Sequence, residues 1–191
     1  MKTKFVLLIA VVVAGLLPSC KDLEDQVKEQ VKTMDGVTQL GTVEYTIKKL
    51  VRVDHDAFYK IGERKIIFSC KSYMKAGIDL DKFSAEDIKV DKKNKTINIE
   101  LPQAKILSFN MPIEDAVLEY ESVSGIRSDF TADDRMNFLT QGEKNILGDS
   151  VLMRSIMQDA ENNATLFFEA LFARVGAENI NITFKNEENH E

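Results

Sequence analysis

The hydrophobic period of the chain changes near residue 131, and that change limits the folds open to it. Upstream, apolar residues alternate with polar ones. Ile66, Phe68, Cys70, Met74 and Ala76 share one parity, while Ser69, Lys71, Tyr73 and Lys75 hold the other. Alternation of this kind turns one set of side chains inward from a half-buried strand. Val43, Tyr45, Ile47, Val51 and Val53 repeat the pattern, with Lys49 as an interruption expected at a bulge or a sheet edge. Gly77 is expected to end the second strand. Ile88 and Val90 form a short strand, residues 91–95 a turn, and residues 96–101 another strand that Pro102 stops, because proline donates no ladder bond. Residues 117–121 alternate again. Downstream the period is helical. Thr131 and Asp134 make a capping pair. Met136, Leu139, Ile146 and Leu147 fit a helix ending at Gly148, and Asp149 or Ser150 caps a longer one. In that helix Leu152, Ile156, Ala160, Ala164, Phe167, Leu171 and Val175 recur at spacings of three and four, with Gly176 as the stop. Ile180, Ile182 and Phe184 then alternate with polar neighbours as a closing strand. This order predicts an α+β domain: a mainly antiparallel sheet, two C-terminal amphipathic helices packed on one face, and a closing C-terminal strand.

The N-terminus carries an address. Lys2 and Lys4 precede an unbroken apolar run over residues 5–17. As a helix that run would rise about 20 Å, short of the roughly 30 Å hydrocarbon core of a bilayer. A basic head followed by a short apolar segment is the pattern of a secretory signal peptide. Leu17-Pro18-Ser19-Cys20 resembles the lipobox of bacterial lipoproteins, with Pro18 a less common residue at its place. That resemblance implies cleavage before Cys20 and acylation of its sulfur and its freed amine. One myristoyl-length chain anchors reversibly, so two or three longer chains on one residue make release negligible. Lys21-Asp22-Leu23-Glu24-Asp25 resembles an export tag of surface lipoproteins in Gram-negative bacteria, with Leu23 interrupting the acidic pair. The expected location is the outer membrane, on its outer face or its periplasmic leaflet.

The expected organisation is a removed signal peptide at 1–19, a lipidated stalk at 20–37, one domain at 38–185 and a disordered tail at 186–191. In the stalk Leu23, Val27, Val31 and Met34, spaced by four, four and three, place an apolar stripe on a short helix. Removing residues 1–19 takes away Lys2 and Lys4, and the formal charge moves from −6 to −8. An acidic balance argues against nucleic acid and against a polybasic lipid-binding face. With Cys20 acylated, Cys70 has no partner in the chain and reads as a small buried hydrophobe.

Three stretches, "YMKAGIDLDKF", "INIELPQAKIL" and "ILGDSVLMRSIMQDAENNATLFFEALFARVGAENINITF", together resemble the bacterial domain-of-unknown-function 4230 family. The resemblance covers roughly residues 41–184. Its most specific parts, residues 76–80 and Leu101-Pro102, are architectural. It implies no activity, cofactor or ligand. It agrees with an anchor at Cys20, since many members of the family are small membrane-anchored or lipid-anchored proteins.

Few residues invite chemistry. His55 sits between Asp54 and Asp56, which on a strand face the other way, and His190 lies in the tail. Structural metal sites need three or four convergent ligands. Asp79, Asp81, Glu86 and Asp87 begin like a calcium loop but lack its turn glycine. No phosphate cradle and no nucleophile elbow is present. Tyr59, Tyr73 and Tyr120 are the candidate platforms for a sugar ring. Asp149-Ser150-Val151 resembles a short bacterial O-glycosylation motif, beside its plain role as a helix cap. No cofactor and no metal is expected. The expectation is a non-catalytic binding or scaffolding module, held to the membrane through Cys20, with an envelope protein or glycan as partner. The alternative is a metal-independent envelope hydrolase working through paired carboxylates.

Overall fold

The computed structural model describes residues 22–34, 36–54 and 62–185. Helix α1 spans Leu23–Thr33. Strands β1 (Gln39–Asp54) and β2 (Arg64–Asp79) are each 16 residues long and pair antiparallel along their whole length. After a single 3-10 turn at Ala85–Asp87 come β3 (Ile88–Asp91), β4 (Thr96–Leu101) and β5 (Ala104–Asn110). A second 3-10 turn, Ile113–Asp115, leads into β6 (Val117–Val123). Helices α2 (Ala132–Leu147) and α3 (Ser150–Ala173) follow, and β7 (Asn179–Phe184) closes the chain. This is the α+β order expected.

The alternating strands form two sheets. β2 is the centre of the larger. One edge takes β1, and the other takes β5 and β6 end to end, β5 along residues 73–78 and β6 along residues 64–69. Both run antiparallel to β2, so residues 104–123 act as one strand interrupted near the middle. The smaller sheet has the order β3-β4-β7, with β3 antiparallel and β7 parallel to β4.

Helix α3 joins the two sheets, and the spacing of its buried residues explains how. Ile156, Ala160, Ala164, Phe168 and Phe172 are fully buried and fall at strict intervals of four. A row at that interval winds slowly around a helix of 3.6 residues per turn. The N-terminal part of the row meets Met74 and Ala76 of the large sheet, and the C-terminal part meets Ile97, Ile99 and Leu101 of the small one. Phe167, expected inside, is 43% exposed, and Phe168 takes its place. Asp149 caps the helix by accepting from the Leu152 amide at 3.1 Å. The Thr131–Asp134 capping box starts α2 as expected, each side chain accepting from the other residue's amide. Asp134 also takes the Arg64 guanidinium at 2.5 Å, and that guanidinium lies 4.1 Å over the Phe130 ring, tying the start of α2 to the start of β2.

Two expectations change. Gly77 does not end β2, which continues through Ile78 to Asp79. It pairs with Gly41, where β1 bulges, and a Cβ on Gly77 would stand 2.0 Å from the Leu40 carbonyl oxygen. The glycine allows two backbones to approach. Residues 23–33, expected in a stalk, pack on the domain. Val27 is buried, and Leu23, Val31 and Met34 pack with it against the cluster of Ile78, Leu80, Phe168 and Phe172. Lys92 in the β3–β4 turn bridges Asp22 at 2.5 Å and Glu24 at 2.7 Å, which holds the first turn of α1. The stripe on α1 therefore completes a core. Among the described residues no helix is long and apolar enough to cross a membrane.

Candidate functional site

Both long helices lie against the inward face of the large sheet, and its outward face is a candidate surface. The register assigns that face row by row, because residues directly opposite on paired strands point the same way. Glu44 faces Lys75, Thr46 faces Tyr73, Lys48 faces Lys71, Leu50 faces Ser69, and Arg52 faces Ile67. On the other edge of β2, Tyr73 faces Asn110 and Ile67 faces Tyr120. Glu44, Thr46, Lys48, Leu50, Arg52, Lys71 and Tyr73 are all exposed.

Charge is uneven along these rows. Lys75 pairs with Glu44 at 2.7 Å, and Arg52 pairs with Asp54 at 2.7 Å. Lys48 and Lys71 stand directly opposite each other, and neither forms an ion pair with a described residue. Like charges opposed across two strands destabilise a sheet. On one side of them lies the row Thr46, Tyr73 and Asn110, an aromatic face between a hydroxyl and an amide. On the other side lie Leu50 and Val117, both exposed. Tyr73 is 44% exposed and Tyr120 is 50% exposed. Tyr120 is opposite Ile67, six residues along β2 from Tyr73, so the two rings sit about 20 Å apart on one face at 3.4 Å per residue. The fold thus places two of the tyrosines singled out in the sequence on one face. Tyr59 lies outside the described residues. Lys48 and Lys71 carry no local sequence signal, since only the register of the β1–β2 pair makes them neighbours.

The other sequence candidates resolve differently. Cys20, His55 and His190 lie outside the described residues. Cys70 is buried, and burial pushes its thiol pKa up. Ser150 is the first residue of α3, behind the Asp149 cap. The acidic stretch after Gly77 is engaged in local bonds. Asp79 pairs with Lys105, which holds its carboxyl below the usual range, and accepts from the Asp81 amide at 3.0 Å. Asp87 accepts from the Ser84 amide at 2.9 Å and pairs with Lys185 at 2.6 Å. Among the described residues no group of three or more His, Cys, Asp or Glu is placed to hold a metal ion. Glu24 and Asp22 do converge, but on the Lys92 ammonium. With Lys28 as the first cause and Lys92 as the second, the Glu24 carboxyl is held at about 2.

Two sheets bridged by a long helix, with one sheet face turned outward, define an α+β domain with a platform. Residues 32–182 match the family model described as a protein of unknown function, DUF4230. The chain belongs to that family, as its sequence resemblance implied. Among curated proteins and among solved structures, none matches the chain.

Proposed function

We propose that this chain is a lipid-anchored lipoprotein of the bacterial outer membrane, and that it works as a non-catalytic binding module through the outward face of its long sheet. The anchor rests on the basic head, the apolar run and the cysteine at position 20. The binding role is carried by one observation, the opposed Lys48 and Lys71, unpaired among the described residues. A protein with a formal charge of −6 keeps two like charges together at the centre of an exposed face. A local rule broken at the surface, with no compensating partner among the described residues, is where function is expected. An anionic ligand on that face turns the repulsion into attraction.

The partner is an acidic polysaccharide of the cell envelope. Its carboxylates or phosphates meet the two ammonium groups, its ring faces lie on Tyr73, and its hydroxyls meet Thr46 and Asn110. Calorimetric titration with polygalacturonate, and with neutral dextran as control, tests this. Binding should be selective for the acidic polymer and fall at least tenfold in a Lys48→Glu, Lys71→Glu double variant. It should also weaken with rising salt, as exposed charge contacts do. Equal binding to both polymers, or indifference to the double variant, removes the reading. The anchor is tested separately. Cys20→Ala should leave the membrane fraction, and an impermeant biotin ester on intact cells separates the outer face from the periplasmic leaflet.

A further inference from the structure

A second site, independent of the sheet face, lies beside α1. Between its C-terminal half and the segment after β2 is a cavity of about 600 Å³. Val31, Met34, Val37, Leu80 and Phe83 give it an apolar lining. A smaller cavity of about 230 Å³, floored by Val27, Ile88 and Val90, continues toward the start of α1. The two share Lys28, Val31 and Ala85 as walls, so they form one trough along the helix. From Glu24 to Lys32, both of which line it, the trough follows about 12 Å of α1 at 1.5 Å per residue. Its volume falls within the range of about 300–1,000 Å³ seen for small-ligand sites.

The walls differ in charge. Lys28 and Lys32 stand on the α1 side, and Asp81 and Ser84 on the other. The Lys28 ammonium is held by Glu24 at 2.7 Å. Lys32 is exposed and forms no ion pair with a described residue. An open trough with an apolar floor, whose lip carries a cation unpaired among the described residues, matches a ligand with a single alkyl chain and one negative charge. Asp81 across the opening confines that charge to the α1 side. We propose that the trough binds a long-chain fatty acid, its alkyl chain along α1 and its carboxylate on Lys32.

The test uses the mature chain in detergent-free solution, both as the Cys20→Ala form and as the acylated form in lipid nanodiscs. The chain has no tryptophan, so the emission of cis-parinaric acid reports on the probe with little protein background. Saturable binding, competed by palmitate and not by dodecyltrimethylammonium, is expected in both forms. Lys32→Glu should weaken it at least tenfold. Val37→Asp, at a position 44% exposed and therefore tolerant of folding, should do the same by placing a like charge in the lining. Circular dichroism confirms that each variant folds. Equal competition by the cationic amphiphile overturns the proposal, as does binding unchanged in both variants. Binding by the Cys20→Ala form with none by the acylated form also overturns it, because the trough then belongs to the chain's own acyl group.

Discussion

Gly142 should reverse the usual effect of a glycine-to-alanine change in a helix. It lies in the interior of α2, buried against β1, and a Cβ there would stand 2.5 Å from Val51 Cγ2 and 3.6 Å from Cγ1. At an exposed helix position the change stabilises by about 1 kcal/mol. Here the new methyl sits about 1 Å or more inside the carbon–carbon optimum of roughly 3.5–4.0 Å. Val51 is β-branched and stiff about χ1, so it cannot turn one methyl away without bringing in the other. Overpacking of this kind costs about 1–3 kcal/mol, which leaves Gly142→Ala destabilising by about 0–2 kcal/mol. Val51→Ala alone removes two methyl groups, about 1.6 kcal/mol of transfer free energy before any cavity term. In that background the clash is gone and the introduced alanine regains its helical advantage, so Gly142→Ala should stabilise by about 1 kcal/mol. Guanidinium unfolding followed by circular dichroism, with the slope checked for constancy, gives all four corners of the cycle. Additivity within about 0.5 kcal/mol would refute the packing argument, as would a full gain from Gly142→Ala in the parent chain.

Gly77→Ala should destabilise by about 3 kcal/mol or more, since its Cβ meets the Leu40 carbonyl and backbone yields less readily than a side chain; a similar midpoint to the parent in guanidinium would count against the close approach. Phe168→Ala should cost about 3–5 kcal/mol, because its buried ring stacks on Phe172 and touches Phe83. The Asp134 carboxyl is held at about 2, first by the Thr131 amide and then by Arg64. Its folded pKa is depressed, so its contribution is present above the ordinary carboxylate range near 4 and is lost as pH falls through about 2. Asp134→Asn should flatten the acid limb of the stability curve in that window, and an unchanged limb would remove the assignment. Cys70 should resist maleimide in the native chain and react at the rate of unfolding, which a denaturant series read by mass spectrometry decides.

Elements with a strong period were legible in the sequence. Alternation located β1, β2, β4 and β7, and the capping residues located the starts of α2 and α3. What failed depends on partners distant in the chain. Gly77 reads locally as a breaker, and only Gly41, on the neighbouring strand, shows that it is a point of backbone contact. The stripe on α1 is visible at 23, 27, 31 and 34, but its counterpart is assembled from Ile78, Leu80, Phe168 and Phe172, so a core helix resembles a tether. The parallel pairing of β7 with β4 joins segments 83 residues apart, and alternation carries no direction. The same holds for the platform. Tyr73 and Tyr120 are legible as aromatic residues, whereas the Lys48–Lys71 pair exists only through register.

The length of β2 has a dynamic consequence. The strand supplies Ile66, Phe68 and Cys70 to the cluster under α2, Met74 and Ala76 to the one under the N-terminal half of α3, and Ile78 to the one shared by α1 and the small sheet. A domain whose hydrophobic clusters share one strand has little room for independent foldons. Amide protons along residues 66–78 should therefore exchange with solvent at one common free energy, that of global opening. The edges can fray, but the spine is either wholly formed or wholly lost.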